Sequence, residues 1–406
     1  MKKFLFLICF LPIIALAQQA VDLVKITDMY KIKQMNSVSL SPDGKQALFV
    51  LNSIEPEGNS KWEYKYTNQL YLVAADGSSA PRALTFKESA SQPVWSPDGK
   101  KIAFVRAADG KPQIFLLSLE GGEPVQITRF RYGASSPVFS PDGSMLLFSA
   151  SVSLGDLLKD KELNPKGAVP AWPAEKPGFS QNQFLLPNSA QPNPDGTPEE
   201  IKAYLDLNVA ERKAKVINKL NFQEEATTSG DQSFSHLFIM AAEAGATPKA
   251  ITHGFHRFGG ASFTPDGKKI LFTGNTDDTQ HPDRALETQI FIANTDGSDM
   301  KQLLGEKGKS YNSPSVSPSG KWLAVQVGTV SFVNVPELAI MPLNGTAADL
   351  VMLPFDRNKG GLTWSKDEQH IYFTAQSNGG APIYRMNVKT KKAEQLTSID
   401  EGISSY

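Results

Sequence analysis

One turn, repeated six times in a fixed register, constrains this 406-residue chain more than any other feature. It reads Ser41-Pro42-Asp43-Gly44, Ser96-Pro97-Asp98-Gly99, Ser140-Pro141-Asp142-Gly143 and Thr264-Pro265-Asp266-Gly267, with two looser copies at Ser317-Pro318-Ser319-Gly320 and Ser365-Lys366-Asp367-Glu368. Proline presets φ near −65°, aspartate bonds its own backbone and glycine supplies a positive φ, so each copy is a hairpin turn. An apolar residue precedes every copy: Leu40, Trp95, Phe139, Phe263, Val316 and Trp364. Three and five positions after the last turn residue come Ala47/Phe49, Ile102/Phe104, Leu146/Phe148, Ile270/Phe272, Leu323/Val325 and Ile371/Phe373. A spacing of two puts both on one face of a strand.

A third strand follows in each unit, at Gln69–Leu72, Gln113–Leu116, His236–Ile239, Gln289–Ile292, Glu337–Ile340 and Pro382–Arg385. A fourth ends at Leu84-Thr85, Ile127-Thr128, Ile251-Thr252, Leu303-Leu304, near Val351, and at Leu396-Thr397. Four short strands repeating every 40 to 55 residues or so are the signature of propeller blades. The expected fold is therefore an all-β β-propeller occupying 36–406, with four-stranded blades at about 36–85, 91–128, 135–252, 260–304, 313–353 and 360–397. Glu401–Tyr406 resembles the entry to blade three, so a seventh blade is expected to begin at 402 and the natural protein to continue past Tyr406. A six-bladed ring with a frayed tail is the alternative. Blade three is interrupted between its second and third strands by an insertion at 152–233, Pro- and Asn-rich at first. A helix is expected in it from about Pro198 to Val216, capped by Thr197, and then a strand at Lys215–Leu220. Long insertions in repeat scaffolds usually sit on one rim and carry function.

The N-terminus carries Lys2 and Lys3, an apolar run from Phe4 to Leu16 and a small-x-small site at Ala15-Leu16-Ala17, the layout of a signal peptide over 1–17. A helical lead-in at 18–35 follows. The protein is thus expected to be secreted, periplasmic or extracellular. The apolar run is too short for a stable span, and no lipid-bearing Cys follows it, so no membrane anchor is expected. Cys9, the only cysteine, lies inside that signal, which leaves the remainder without disulfides or a thiolate nucleophile. A formal charge of −1 gives no reason to expect nucleic acid as a partner.

No Gly-x-Ser-x-Gly elbow, His-Glu-x-x-His motif or phosphate loop occurs, so no catalytic residue, cofactor or metal is assigned. The turn aspartates lack a repeated calcium-ligand spacing and read as structural. His236 and His370 lie beside strands, where structural roles are expected, while His253 and His256 form a weak candidate metal pair in a Gly-containing loop. Glu224 and Glu225 on the insertion are the one candidate substrate site: paired carboxylates can hold a peptide's free α-amino group. A solvated surface is the alternative for them.

Ser96–Val105, followed by Gln113-Ile114-Phe115 and closing on Gln126-Ile127-Thr128, resembles the blades of TolB-like propellers. The same blades form the N-terminal domain of the prolyl oligopeptidase family, notably its secreted acylaminoacyl-peptidase-like and dipeptidyl-peptidase-like members. The resemblance runs from about Val21 to Tyr406. It implies a C-terminal α/β-hydrolase domain with a Ser-Asp-His triad downstream, peptide substrates, and a propeller that gates and docks them without turnover of its own. No triad residue can be carried onto this chain. A stand-alone periplasmic binding or scaffold propeller of the TolB-like kind is the other reading.

Overall fold

The computed structural model describes residues 23–58, 63–172, 182–186, 188–207, 219–223, 228, 232–331 and 333–400. The expected signal segment 1–17 and the seventh-blade start at 402 lie outside these residues. Six four-stranded antiparallel sheets follow one another as the blades of a β-propeller, each a meander in chain order. Blade one holds β1 (Gln34–Leu40), β2 (Gln46–Pro56), β3 (Tyr64–Ala74) and β4 (Arg82–Ala83). Blade two holds β5 (Ala90–Trp95), β6 (Lys101–Ala108), β7 (Lys111–Ser118) and β8 (Val125–Gln126). Blade three holds β9 (Ser135–Phe139), β10 (Met145–Ser153), β11 (Ser233–Ala241) and β12 (Lys249–Ala250). Blade four holds β13 (Arg257–Phe263), β14 (Lys269–Asn275), β15 (Gln289–Asn294) and β16 (Lys301–Leu304). Blade five holds β17 (Lys309–Val316), β18 (Trp322–Thr329), β19 (Glu337–Pro342) and β20 (Val351–Leu353), and blade six β21 (Lys359–Trp364), β22 (His370–Ala375), β23 (Ile383–Asn387) and β24 (Ala393–Gln395).

The repeated turn does what its chemistry dictates. Ser41, Ser96, Ser140, Thr264 and Ser365 each donate a side-chain hydrogen bond to the Asp two residues on, at 2.5–2.7 Å. Each Asp also accepts a backbone N–H from the residue two further along. These bonds, the Ser or Thr hydroxyl first, hold all five carboxyls below their ordinary value, Asp142 at about 2. The turn aspartates are thus occupied in shaping the hairpin. Gly267 adopts φ +69, and a Cβ there would lie 3.4 Å from Pro141 Cδ of the preceding blade's turn. In blade six Glu368 takes the glycine's place at φ 58, and its carboxylate accepts the Ser319 N–H (2.5 Å) and hydroxyl (3.0 Å) of blade five's turn.

Every first strand also bends at one place. Ser37, Gln92, Ser136, Gly260, Ser313 and Gly361 all have positive φ, and each falls four residues before its turn. The pairing register shifts there in all six blades, which identifies a β-bulge.

The core lies between blades. The aromatic positions expected on second strands meet an aromatic on the third strand, stacking as Phe49–Tyr71, Phe104–Phe115, Phe148–Phe238, Phe272–Phe291 and Phe373–Tyr384. Three of these stacks are closed edge-on by Phe130, Phe258 and Phe355, and the stack in blade two by the Arg106 guanidinium. Aliphatic residues of the preceding blade cover this layer; Leu48, Val50, Leu70 and Leu72 lie against Ile102 and Phe104, for example. Trp95 and Trp364 reach back to donate to the carbonyls of Ser39 and Ser315 in the previous blade, at 3.4 and 2.9 Å. Blade one has no described neighbour on that side, so Leu40, at the same position as Trp95 and Trp364, is 60% exposed. The described part of the lead-in forms one 3-10 helix, Ile26–Lys31, with no buried residue.

Candidate functional site

Antiparallel meanders sort loops onto two rims. The repeated turns and the third-to-fourth turns share one rim; the second-to-third loops and the blade-to-blade connections share the other. The first rim is built of short turns, with a cleft of about 480 Å3 among Asp142, Lys249, Asp266 and Asp296, and the second carries the irregular chain.

Its largest feature is the insertion, residues 154–232 between β10 and β11. It opens with α1 (Leu154–Leu157), capped by Ser153, whose hydroxyl accepts the Asp156 N–H. Asp160 then fixes it to the blade. Its side chain is fully buried and accepts the Tyr132 hydroxyl and the Arg131 guanidinium, both at 2.5 Å, together with the backbone N–H groups of Glu162 and Leu163. Burial alone would raise this carboxyl, but the Tyr132 hydroxyl, the two N–H groups and Arg131 outweigh it and hold it below its ordinary value. Burial and the bond to Asp160 push Tyr132 up to about 12. Glu162 accepts the Ala250 N–H at 2.8 Å, tying the insertion to β12.

Farther along, Trp172 stacks on Phe234 and meets Phe255 and His281 edge-on. The helix expected from Pro198 is present as α2 (Pro198–Leu207), with a reciprocal Thr197–Glu200 capping box. Its expected continuation over 208–216 lies outside the described residues, as does the strand expected at 215–220 up to residue 218. Lys219 and Leu220 are described and lie in a bend rather than a strand. Asp283, its side chain 3% exposed, holds the returning chain against blade four: it accepts the Leu220 N–H, Arg257 and Gln232.

Blade four contributes the other long loop, residues 276–288 between β14 and β15. A cleft of about 520 Å3 on one flank is lined by Asp277, Arg284, Leu286, Glu287, Glu306 and Lys307. A second, of about 280 Å3, opens between the loop and His256, Arg257 and Phe258. Asn275, Asp277 and Glu287 border both. Together these form a charged, partly apolar trough beside the insertion.

Glu224 and Glu225, the candidate substrate pair, lie outside the described residues. His236 is fully buried, its Nδ1 3.2 Å from the Thr252 hydroxyl. Gln69 and Gln113 stand at the same position in blades one and two and accept the corresponding Thr85 and Thr128 hydroxyls. His236 therefore fills a structural position, as expected from its place beside the strand. Burial first, then the neighbouring His253 and His256, lowers it to about 4. His253 and His256 are themselves lowered by burial, and among the described residues no three His, Cys, Asp or Glu side chains are grouped to hold a metal. His370 bonds Asn387 across β22 and β23.

Sequence reasoning missed the Asp160 and Asp283 anchors. Each draws partners from segments far apart in the chain, and only the Trp172 aromatic, isolated in a Pro-rich stretch, hinted that the insertion has a buried side.

A family model described as the TolB beta propeller domain matches residues 44–156. That part of the chain is similar to the TolB propeller domain. Dipeptidyl-peptidase 5 of Porphyromonas gingivalis is 26% identical to it over 373 residues, covering 90% of this chain and 48% of the relative. Among solved structures, the acylaminoacyl peptidase of Pyrococcus horikoshii superposes with a TM-score of 0.55 at 14% identity, over 91% of this chain and 47% of that one. The oligogalacturonate lyase of Vibrio parahaemolyticus gives 0.53 at 14% identity, over 88% and 75%. This propeller is thus related to those of peptidases, and the chain spans about half the length of the peptidases it matches.

Proposed function

We propose that this chain is the propeller portion of a secreted serine peptidase of the dipeptidyl- or acylaminoacyl-peptidase type. In this reading residues 1–17 direct export, and a seventh blade beginning at 402 covers the open face of blade one. A C-terminal α/β-hydrolase domain supplies the nucleophile, and the propeller gates and docks peptide substrates for it. The observation that carries the reading is the extent of the match to dipeptidyl-peptidase 5, which takes in nine-tenths of this chain but under half of the relative. The two rims support it: the rim bearing the insertion and the 276–288 loop holds two clefts flanked by long loops, the expected place for substrate selection, whereas the cleft of about 480 Å3 on the other rim lies among short turns. Glu224 and Glu225 belong to that insertion and are the proposed ligands of a peptide's α-amino group.

The full-length protein supplies the test. It is expected to hydrolyse N-terminally free or acylated short peptides and to be labelled by a fluorophosphonate on a serine downstream of Tyr406. Replacing Glu224 and Glu225 with glutamine should raise KM for free-amine substrates and leave acylated ones unchanged. A full-length protein that neither turns over such peptides nor takes the label would sink the proposal.

A further inference from the structure

The insertion is clasped to the propeller through one short connector, residues 251–256 between β12 and β13. The Gly254 N–H donates to the Leu163 carbonyl at 2.9 Å, and Phe255 meets the Trp172 ring edge-on. Just ahead of the connector, the Ala250 N–H is taken by Glu162. The same connector rests on His236, which lies on β11 opposite Ala150 of β10 and against Phe258 of β13. Both ring nitrogens face it, Nδ1 the Thr252 hydroxyl and Nε2 the Gly254 backbone. The insertion and a buried imidazole thus hold the same residues.

These surroundings require a neutral ring. Thr252, 1% exposed, accepts the Leu237 N–H and so gives its own proton to Nδ1. A proton on Nδ1 would leave that buried hydroxyl without its acceptor. Among the described residues no carboxylate is free to compensate the charge. Asp160, the acid that acts on the ring, already accepts Tyr132, Arg131 and the N–H groups of Glu162 and Leu163. His253 and His256 oppose a positive charge there. Behind them Glu162 and Lys249 act on His253, and Asp278 on His256. A buried unpaired charge is relieved where the least structure must move, and the cover here is thin: His253 is exposed and Gly254 half-buried. We propose that the connector is an acid-sensitive latch: protonation of His236 lifts residues 251–256 and frees the opening segment of the insertion, residues 154–172, while the blades stay folded. In the closed latch the ring is lowered from 6.5 to about 4, by burial first and then by His253 and His256. Closure is therefore at full strength above pH 6.5 and weakens as pH falls towards 4. Opening should be about 30-fold more frequent at pH 5 than at pH 7.5.

Hydrogen–deuterium exchange of the full-length protein, corrected for the intrinsic effect of pH, reads the latch directly. The Ala250 and Gly254 amides, which bond the insertion, should lose protection by about 30-fold between pH 7.5 and pH 5, while β14 and β18 keep theirs. His236→Gln cannot take up the proton and should stay protected at both pH values. Loss spread evenly over the blades would be global unfolding and would overturn the proposal. Loss that persists in His236→Gln would assign the effect to Glu162, His253 or His256 and overturn it too, as would a wild type protected alike at both pH values. Should the variant not fold, a histidine NMR titration of the wild type decides instead: the His236 ring must change over the same pH range as the exchange, and a change outside that range refutes the latch.

Discussion

Replacing His236 with glutamine should stabilise the propeller, most of all in acid. Thr252 Oγ1 accepts the Leu237 N–H at 3.0 Å, so its own proton goes to His236 Nδ1. The remaining N–H is then on Nε2, which is buried and faces the Gly254 backbone without a hydrogen bond of good geometry. In blades one and two a glutamine accepts the same threonine hydroxyl and donates its amide to a connector carbonyl, Phe86 at 3.4 Å and Phe130 at 2.9 Å. His236→Gln restores that arrangement and replaces a poorly paired donor, a gain of up to about 1–3 kcal/mol. Acid widens the gap. The folded value of about 4 lies below the ordinary 6.5, so the unfolded chain takes up a proton first as pH falls. The stability concerned is fully present above pH 6.5 and drains away towards pH 4, by up to roughly 3 kcal/mol over the 2.5-unit gap. With an unfolding entropy of about 2 cal/mol/K per residue, 1 kcal/mol moves the melting point of a chain this long by about 1 °C. Scanning calorimetry should therefore place the variant some 1–3 °C above the wild type at pH 7.5, and at about twice that separation or more near pH 4.5. Parallel curves, or a variant less stable at both pH values, would refute the tautomer and the burial argument together.

Asp160→Asn should loosen the insertion, costing about 2–3 kcal/mol by weakening charge-assisted bonds to a buried carboxylate; Arg131→Ala should cost far less, since that side chain is 60% exposed. Limited proteolysis within 154–232 reads the difference, and equal cleavage in both variants would count against the anchor. Asp160 sits below its ordinary value, so its contribution is present at neutral pH and is lost as pH drops through the carboxylate range. Gly267→Ala forces a side chain into a left-handed conformation beside Pro141 and should cost about 1–2 kcal/mol in a denaturant titration. Trp364→Phe removes the indole donor to Ser315 and should cost about 1 kcal/mol, with loss of the interblade fluorescence signal on unfolding.

The blades were legible because their turns are sequence-coded: proline, aspartate and glycine each perform a different local task, and the side chains flanking them keep strand periodicity. The bulge four residues upstream was not legible. Ser37, Gln92, Ser136, Gly260, Ser313 and Gly361 share a backbone conformation, but three serines, two glycines and a glutamine give no one residue type that marks it. The insertion was visible as a break in period, and α2 began at the proline and capping threonine that mark its start. What holds the insertion down was hidden, because Asp160 meets Arg131 and Tyr132 across 29 and 28 residues and Asp283 meets Leu220 across 63. No local pattern encodes such encounters.

The turn-to-turn grip between blades has a direction. Glu368 reaches back to Ser319, Trp364 to Ser315 and Trp95 to Ser39, while the glutamines Gln92 and Gln326, away from the turns, reach forward to Ser136 and Lys359. A nascent chain emerging N-terminus first meets each docking partner already made, so blades two to six can be added one upon another as they appear. Blade one is the exception, with Leu40 and Met35 left in solvent where its successors hold a neighbour. On the proposed reading, that apolar back waits for the seventh blade beginning at 402, and the seam is expected to be the last to seal and the most exposed to aggregation until then.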